Sequence, residues 1–318
     1  MARPGKSLII AAFAALYVVW GSTYLAIRFA IETIPPLLMA GGRFLIAGFI
    51  MYGIARWQGA PKESFANWRT ALIIGACLLL GGNGGVTLAE QYVSSGLASV
   101  IVATVPIYIA VLAWWSGLAP SPTPIVWLAL AGGFAGVAIL LAPAIHLSPS
   151  ETGHPGIGML ILLGSSFVWS VGSIYSRKAK NVSPPLLLAA QQMICGGVLL
   201  TLLGFLTGEP RRFDPSRISA LSIGAFVYLV IIGALVGYTA YIFLLRHCAP
   251  AKVATYAYVN PVVAVILGAL FAGESLDART VLAAGLIIGS VALVITVQQT
   301  KSKVVSPEVV CLERANEP

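Results

Sequence analysis

Trp20, Tyr24 and Arg28 stand at i, i+4 and i+8, so in a helix they share one stripe, which Tyr17 and Gly21 border. Ser165, Trp169, Ser173 and Arg177 make a second stripe of the same kind. Such stripes offer recognition: an aromatic ring stacks on a flat apolar solute while its N–H or O–H makes a hydrogen bond. The run Thr255 to Pro261 adds Tyr256 and Asn260 on one face. Pro261 has no N–H and disfavours helix at Asn260, which frees a carbonyl of the preceding turn. Thr104-Val105-Pro106 repeats the arrangement, so Pro106 and Pro261 are expected helix breaks. Gly81-Gly82-Asn83-Gly84-Gly85 sets Asn83 in poor helix material. Its later counterpart is Gly237-Tyr238, near Tyr241. Each group has a packing alternative, because small and hydroxyl residues also join helices in a bilayer.

Two charges complete the set. Arg43 falls well inside an apolar run and would cost about 2.5–3.5 kcal/mol if left unpaired there. Glu90 closes the next run on the same side, and a structural pair between them is the preferred reading. The other readings are that Arg43 holds an anionic substrate group and that Glu90 carries a proton. Nothing has the pattern of catalysis: His146, His154 and His247 lack metal spacing, and the four cysteines form no CxxC pair. No metal and no cofactor are expected. Asn181-Val182-Ser183 fits a glycosylation pattern, but the topology below puts it inside.

The elements that carry these residues follow from composition. Of 318 residues, 58% are hydrophobic and 9% charged, with a mean hydropathy of +0.91. A soluble domain is about a quarter charged, so this chain cannot cover itself for water. The expected fold is an all-α polytopic membrane protein with spans at 7–27, 36–55, 70–89, 97–115, 125–142, 157–176, 184–206, 220–244, 253–272 and 279–297. The partners are then the lipid bilayer and a small-molecule substrate. The net charge of +8 does not indicate nucleic acid, because Lys and Arg fall in the short gaps between spans. With both termini cytoplasmic, thirteen Lys and Arg lie inside against five outside, which obeys the positive-inside rule. Arg211, Arg212 and Arg217 run against it. The first run is longer than a signal-peptide core and has a partner later in the chain, so it reads as a retained helix. The polar tail 298–318 is expected to be disordered.

An internal repeat organises the spans. At an offset of 149, Trp20 matches Trp169, Arg28 matches Arg177, and the run from Pro35 to Leu38 matches that from Pro184 to Leu187. Pro106 matches Pro261 at offset 155, and Gly132 and Gly136 match Gly285 and Gly289 at 153. Five is odd, so a second half of five spans enters the membrane from the opposite face. The expectation is a 5+5 inverted repeat, halves 7–142 and 157–297, with a substrate site near the midplane where they meet.

The blocks from Trp20 to Phe44, Gly81 to Pro106 and Ala254 to Gly268 closely resemble the EamA family of the drug/metabolite transporter superfamily, its bacterial inner-membrane members above all. The resemblance spans about 7–297. It implies ten helices in two repeats, a plasma-membrane location and export of small metabolites. It also implies a central cavity built from the first, third, fourth, sixth, eighth and ninth helices. Carried onto this chain, that selects Trp20, Tyr24, Asn83, Thr104, Trp169, Tyr238, Tyr241, Tyr256 and Asn260. Substrate, direction and coupling stay open, as does the choice between monomer and homodimer. A passive channel or a lipid-modifying membrane enzyme are the competing classes; the enzyme lacks a cluster of acids, His and Ser at one depth.

Overall fold

The computed structural model describes residues 6–119, 121–146, 155–179, 183–248, 253, 256–273 and 277–304. His154, the Asn181-Val182 pair and residues 305–318 lie outside them. Most of the described residues are helical, and none of them is in a strand. The helices are α1 (Lys6–Ala30), α2 (Pro36–Trp57), α3 (Phe65–Ala89), α4 (Ser95–Trp115), α5 (Pro124–His146), α6 (Pro155–Lys178), α7 (Pro185–Leu206), α8 (Ala220–Leu245, running on to His247), α9 (Tyr256–Phe271) and α10 (Ala278–Val304). Seven of them, α1 to α4 and α6 to α8, are long and apolar enough to cross a membrane. The described apolar stretches of α5, α9 and α10 are shorter. Helix α10 runs to Val304, past the point where the sequence turns polar.

Local signals set the ends. Pro36 and Pro185 open α2 and α7, where a fixed φ suits the first helical turn and the missing N–H is not needed. Both helices end on a left-handed glycine, Gly59 at φ 82° and Gly208 at φ 76°, again 149 residues apart. The hydroxyls of Ser64, Ser94 and Ser219 cap α3, α4 and α8 by accepting from backbone N–H groups. In the middle of α3 and α8 the winding widens to a π-helix, over Ala76–Gly84 and Leu229–Tyr238. Wide turns of this kind are rare and concentrate at functional sites.

Glycine contacts fix the relative direction of the helices. A Cβ on Gly41 would meet Gly197 O at 3.1 Å, and one on Gly197 would meet Gly41 O at 3.1 Å. Seven residues further along α2, Gly48 faces Met193 and Ile194, earlier on α7. The α2–α7 pair is therefore antiparallel. Since α7 is the counterpart of α2, the two halves are inverted with respect to each other. Helix α1 packs on α8 and α9, and its counterpart α6 packs on α3 and α4, so each half grips the other in the same way. Helices α5 and α10 pair with each other at the side, Gly136 against Ile287 and Ala283.

Large apolar residues such as Leu128, Leu160, Leu202 and Leu206 are exposed, as lipid-facing surface should be. Polar backbone at the helix ends is tied down in trans. The Glu209 carboxylate, buried, accepts from Leu37 N at 3.0 Å and Leu38 N at 2.8 Å, so a segment after α7 caps the first turn of α2. The matching position in the first half is Ala60, which has no such group. We expect Glu209→Ala to lower stability by about 1.5–3 kcal/mol, because two charge-assisted bonds to buried amides are lost. Thermal unfolding in detergent would measure it, and Ala60→Ser, as a control, should leave the midpoint unchanged. The neighbouring Arg217 meets Asp214 at 3.2 Å on the exposed surface. Hydrogen bonds from the Ser216 hydroxyl and amide hold the Asp214 carboxyl below its usual range.

Candidate functional site

A cavity open to one side lies between the halves. Helix α1 contributes Trp20, Thr23, Tyr24 and Ile27, α2 contributes Arg43 and Phe44, and α3 contributes Gly82, Asn83 and Val86. Val102 and Val105 of α4, Ser165, Ser166 and Trp169 of α6, Gly233 and Tyr238 of α8, and Tyr256 of α9 complete it. These residues sit from mid-helix to the α1 C-terminal end. Its lining, mostly apolar with a few polar groups, is of the kind found at small-molecule sites.

Two tryptophans form the floor, each seated on the other half. A Cβ on Gly82 would fall 2.6 Å from the Trp169 ring, and one on Gly237 would fall 2.7 Å from Trp20 Nε1. Gly82 and Gly237 are 155 residues apart and the tryptophans 149, so these are the same contact made twice by the repeat. Only glycine in the widened turns of α3 and α8 lets the indoles lie this close. The ring centroids of Trp20 are 5.5 Å from Trp169, 4.9 Å from Tyr241 and 5.2 Å from Tyr256. Trp169 Nε1 donates to Tyr241 OH at 3.2 Å, and the Ser173 and Tyr241 hydroxyls are 2.8 Å apart. The result is an aromatic plug in which the Trp169 N–H and the Ser173 and Tyr241 hydroxyls are linked to one another.

The repeat also organises the polar groups. Arg43 donates through Nη2 to Asn83 Oδ1, linking α2 to α3. Their counterparts, at offsets 149 and 155, are Gln192 and Tyr238, where Tyr238 OH donates to Gln192 Oε1 at 2.7 Å. Arg28 Nη1 donates to Glu90 O at 3.0 Å at the end of α3. Arg177 Nη1 donates to Leu245 O at 3.2 Å near the end of α8. Both arginines therefore serve as C-terminal latches within their own halves, where a cation also favours the helix dipole. They leave the recognition stripes to the residues between them.

Of the residues singled out from sequence, Trp20, Tyr24, Arg43, Asn83, Trp169, Tyr238 and Tyr256 meet in the cavity. Tyr241 and Ser173 stand behind it as the plug's support. Thr104 is buried at the turn that splits α4 and donates back to Ile101 O at 2.7 Å. The split falls at Ala103-Thr104, with Pro106 in the first turn of the following segment. Helix α9, by contrast, is continuous through Pro261. Asn260, its amide assigned from the hydrogen-bond network, donates to Tyr17 O at 3.1 Å and Tyr256 O at 3.2 Å. It staples α9 to α1 at the residue before Pro261. Glu90 is fully buried and within electrostatic reach of Arg43 and Tyr24, while the direct partner of Arg43 is Asn83. Gln192, Thr23, Phe44 and Ser166 were not singled out from sequence. Gln192 was within reach of the repeat, since it stands 149 residues after Arg43.

The model of the EamA-like transporter family matches this chain twice, over 6–142 and 156–296. The uncharacterised inner membrane transporter YedA of Escherichia coli (strain K12) is 38% identical over 287 residues, 90% of each chain. The uncharacterised transporter YvbV of Bacillus subtilis (strain 168) is 28% identical over 301 residues, 94% of this chain and 93% of its own. A solved crystal structure at 19% identity superposes with a TM-score of 0.65, covering 92% of this chain and 99% of that one, which shows a shared fold. Two family matches, one on each of two inverted halves that enclose a cavity, leave one assignment: this chain is a member of the EamA-like transporter family.

Proposed function

We propose that this transporter is a secondary carrier of the inner (plasma) membrane that exports small amphipathic solutes by alternating access. All ten helices cross the bilayer, with both termini in the cytoplasm. The observation that carries the reading is the exchanged seat of Trp20 on Gly237 and Trp169 on Gly82 at the base of the cavity. Each half presses its plug residue into the other, so rocking the halves opens one side as it closes the other. The lysine and arginine imbalance supports the orientation, which places the present cavity on the outer side. Export, rather than uptake, follows the family resemblance of the three sequence blocks.

Untargeted metabolite analysis of the medium around overproducing cells tests this reading. A compound enriched with the wild type and at least tenfold less so with Tyr24→Ala or Asn83→Ala is expected. Equal enrichment in the variants would remove the cavity from the pathway, and a compound depleted from the medium by the wild type would reverse the direction.

A further inference from the structure

We infer that the solute carries one carboxylate on an aromatic or flat apolar body, with Arg43 as the group that receives the carboxylate; the inference rests on the carrier reading and names its substrate class. Arg43 is 3% exposed, lines the cavity, and lies with Cζ 4.6 Å from the Phe44 ring centroid. A guanidinium has five N–H donors. Among the described residues one bond uses them, to Asn83 Oδ1, and Nε has no partner.

The repeat shows that the fold does not require this charge. At the matching place in the second half a neutral amide, Gln192, makes the same link to the third helix of its half. A cation kept in a bilayer where an amide suffices for packing points to a ligand. Glu90, near enough to be felt by Arg43, moderates its charge without being its hydrogen-bond partner there. The guanidinium is a planar fork that matches the geometry of a carboxylate. Asn83 already accepts from Arg43, which leaves its Nδ2 as a donor to the same carboxylate. Across the cavity Trp20, Trp169 and Tyr256 offer ring faces and edges to the apolar body.

Calorimetry on the full-length protein in nanodiscs, with three probes of one shape, decides this. The probes are 3-phenylpropionate, the neutral 3-phenylpropanamide and the cationic 3-phenylpropylamine. The acid is expected to bind at least tenfold more tightly than the amide, with no measurable binding of the amine. Arg43→Gln should erase the acid's advantage and Arg43→Lys should keep part of it. Equal binding of acid and amide by the wild type overturns the inference without any variant, so a failure of Arg43→Gln to fold does not shield it. Acid binding unchanged in Arg43→Gln overturns it too. Export that persists in a protein indifferent to the acid sinks this substrate class and leaves the carrier reading. Acid binding without any transport does the reverse.

Discussion

Gly197→Leu should leave almost no folded protein. At the α2–α7 crossing the Cβ of residue 197 would already stand 2.9 Å from Leu45 N and 3.1 Å from Gly41 O. Both are backbone atoms and cannot rotate away. Overpacking of a tight site costs about 1–3 kcal/mol and sometimes more, and the branched side chain here forces two helices apart along their length. Membrane helices associate through such close packing rather than through a hydrophobic drive, so the α2–α7 crossing itself is lost. Gly53→Leu, on the same helix pair's α2 but with open space around it, should fold normally. Monodisperse yield in detergent reads both, and a well-folded Gly197→Leu protein would refute the crossing.

The second large effect is on transport rather than on folding. Gly82→Val or Gly237→Val should reduce flux at least tenfold, about 1.4 kcal/mol of barrier, while most of the protein still inserts. The added side chain has no room unless Trp169 or Trp20 leaves its seat, and both indoles border the cavity. Gly164→Val, with nothing within reach of its Cβ, is the control. Pairing Gly82→Val with Trp169→Leu should restore part of the flux by giving the space back. If the double variant is no better than Gly82→Val alone, the displaced indole is not the cause.

Much of the helical architecture was legible because its signals are local or periodic. Pro36 and Pro185, Gly59 and Gly208, and the constant 149-residue offset announce starts, stops and the repeat without any tertiary information. The stripe rule found Trp20, Tyr24 and Trp169, because a helix face is a property of spacing. What stayed hidden depends on who sits opposite. The glycine run around Asn83 reads as poor α-helix, and spacing alone does not reveal that it winds as a π-helix with the indole of Trp169 against it. Asn260 beside a proline looks like a substrate ligand; its acceptor, the Tyr17 carbonyl, belongs to a helix far away in sequence. Gly208-Glu209-Pro210 reads as loop punctuation until the carboxylate is seen capping α2. For Arg43, the acid that closes the next span suggested a pair; its hydrogen bond to Asn83 on α3 was not legible from spacing.

Alternating access requires that one cavity between the two inverted halves be exposed to each side in turn. The direct measurement places a single thiol at Val86, in the cavity wall, after removal of Cys77, Cys195, Cys248 and Cys311. A membrane-impermeant maleimide is then added to sealed vesicles of either orientation, with a fluorescent thiol trapped inside to report leakage. Labelling of Val86→Cys from both faces is expected, with the trapped thiol untouched. Labelling from one face alone would contradict alternating access, and reaction of the trapped thiol would mark a passive channel.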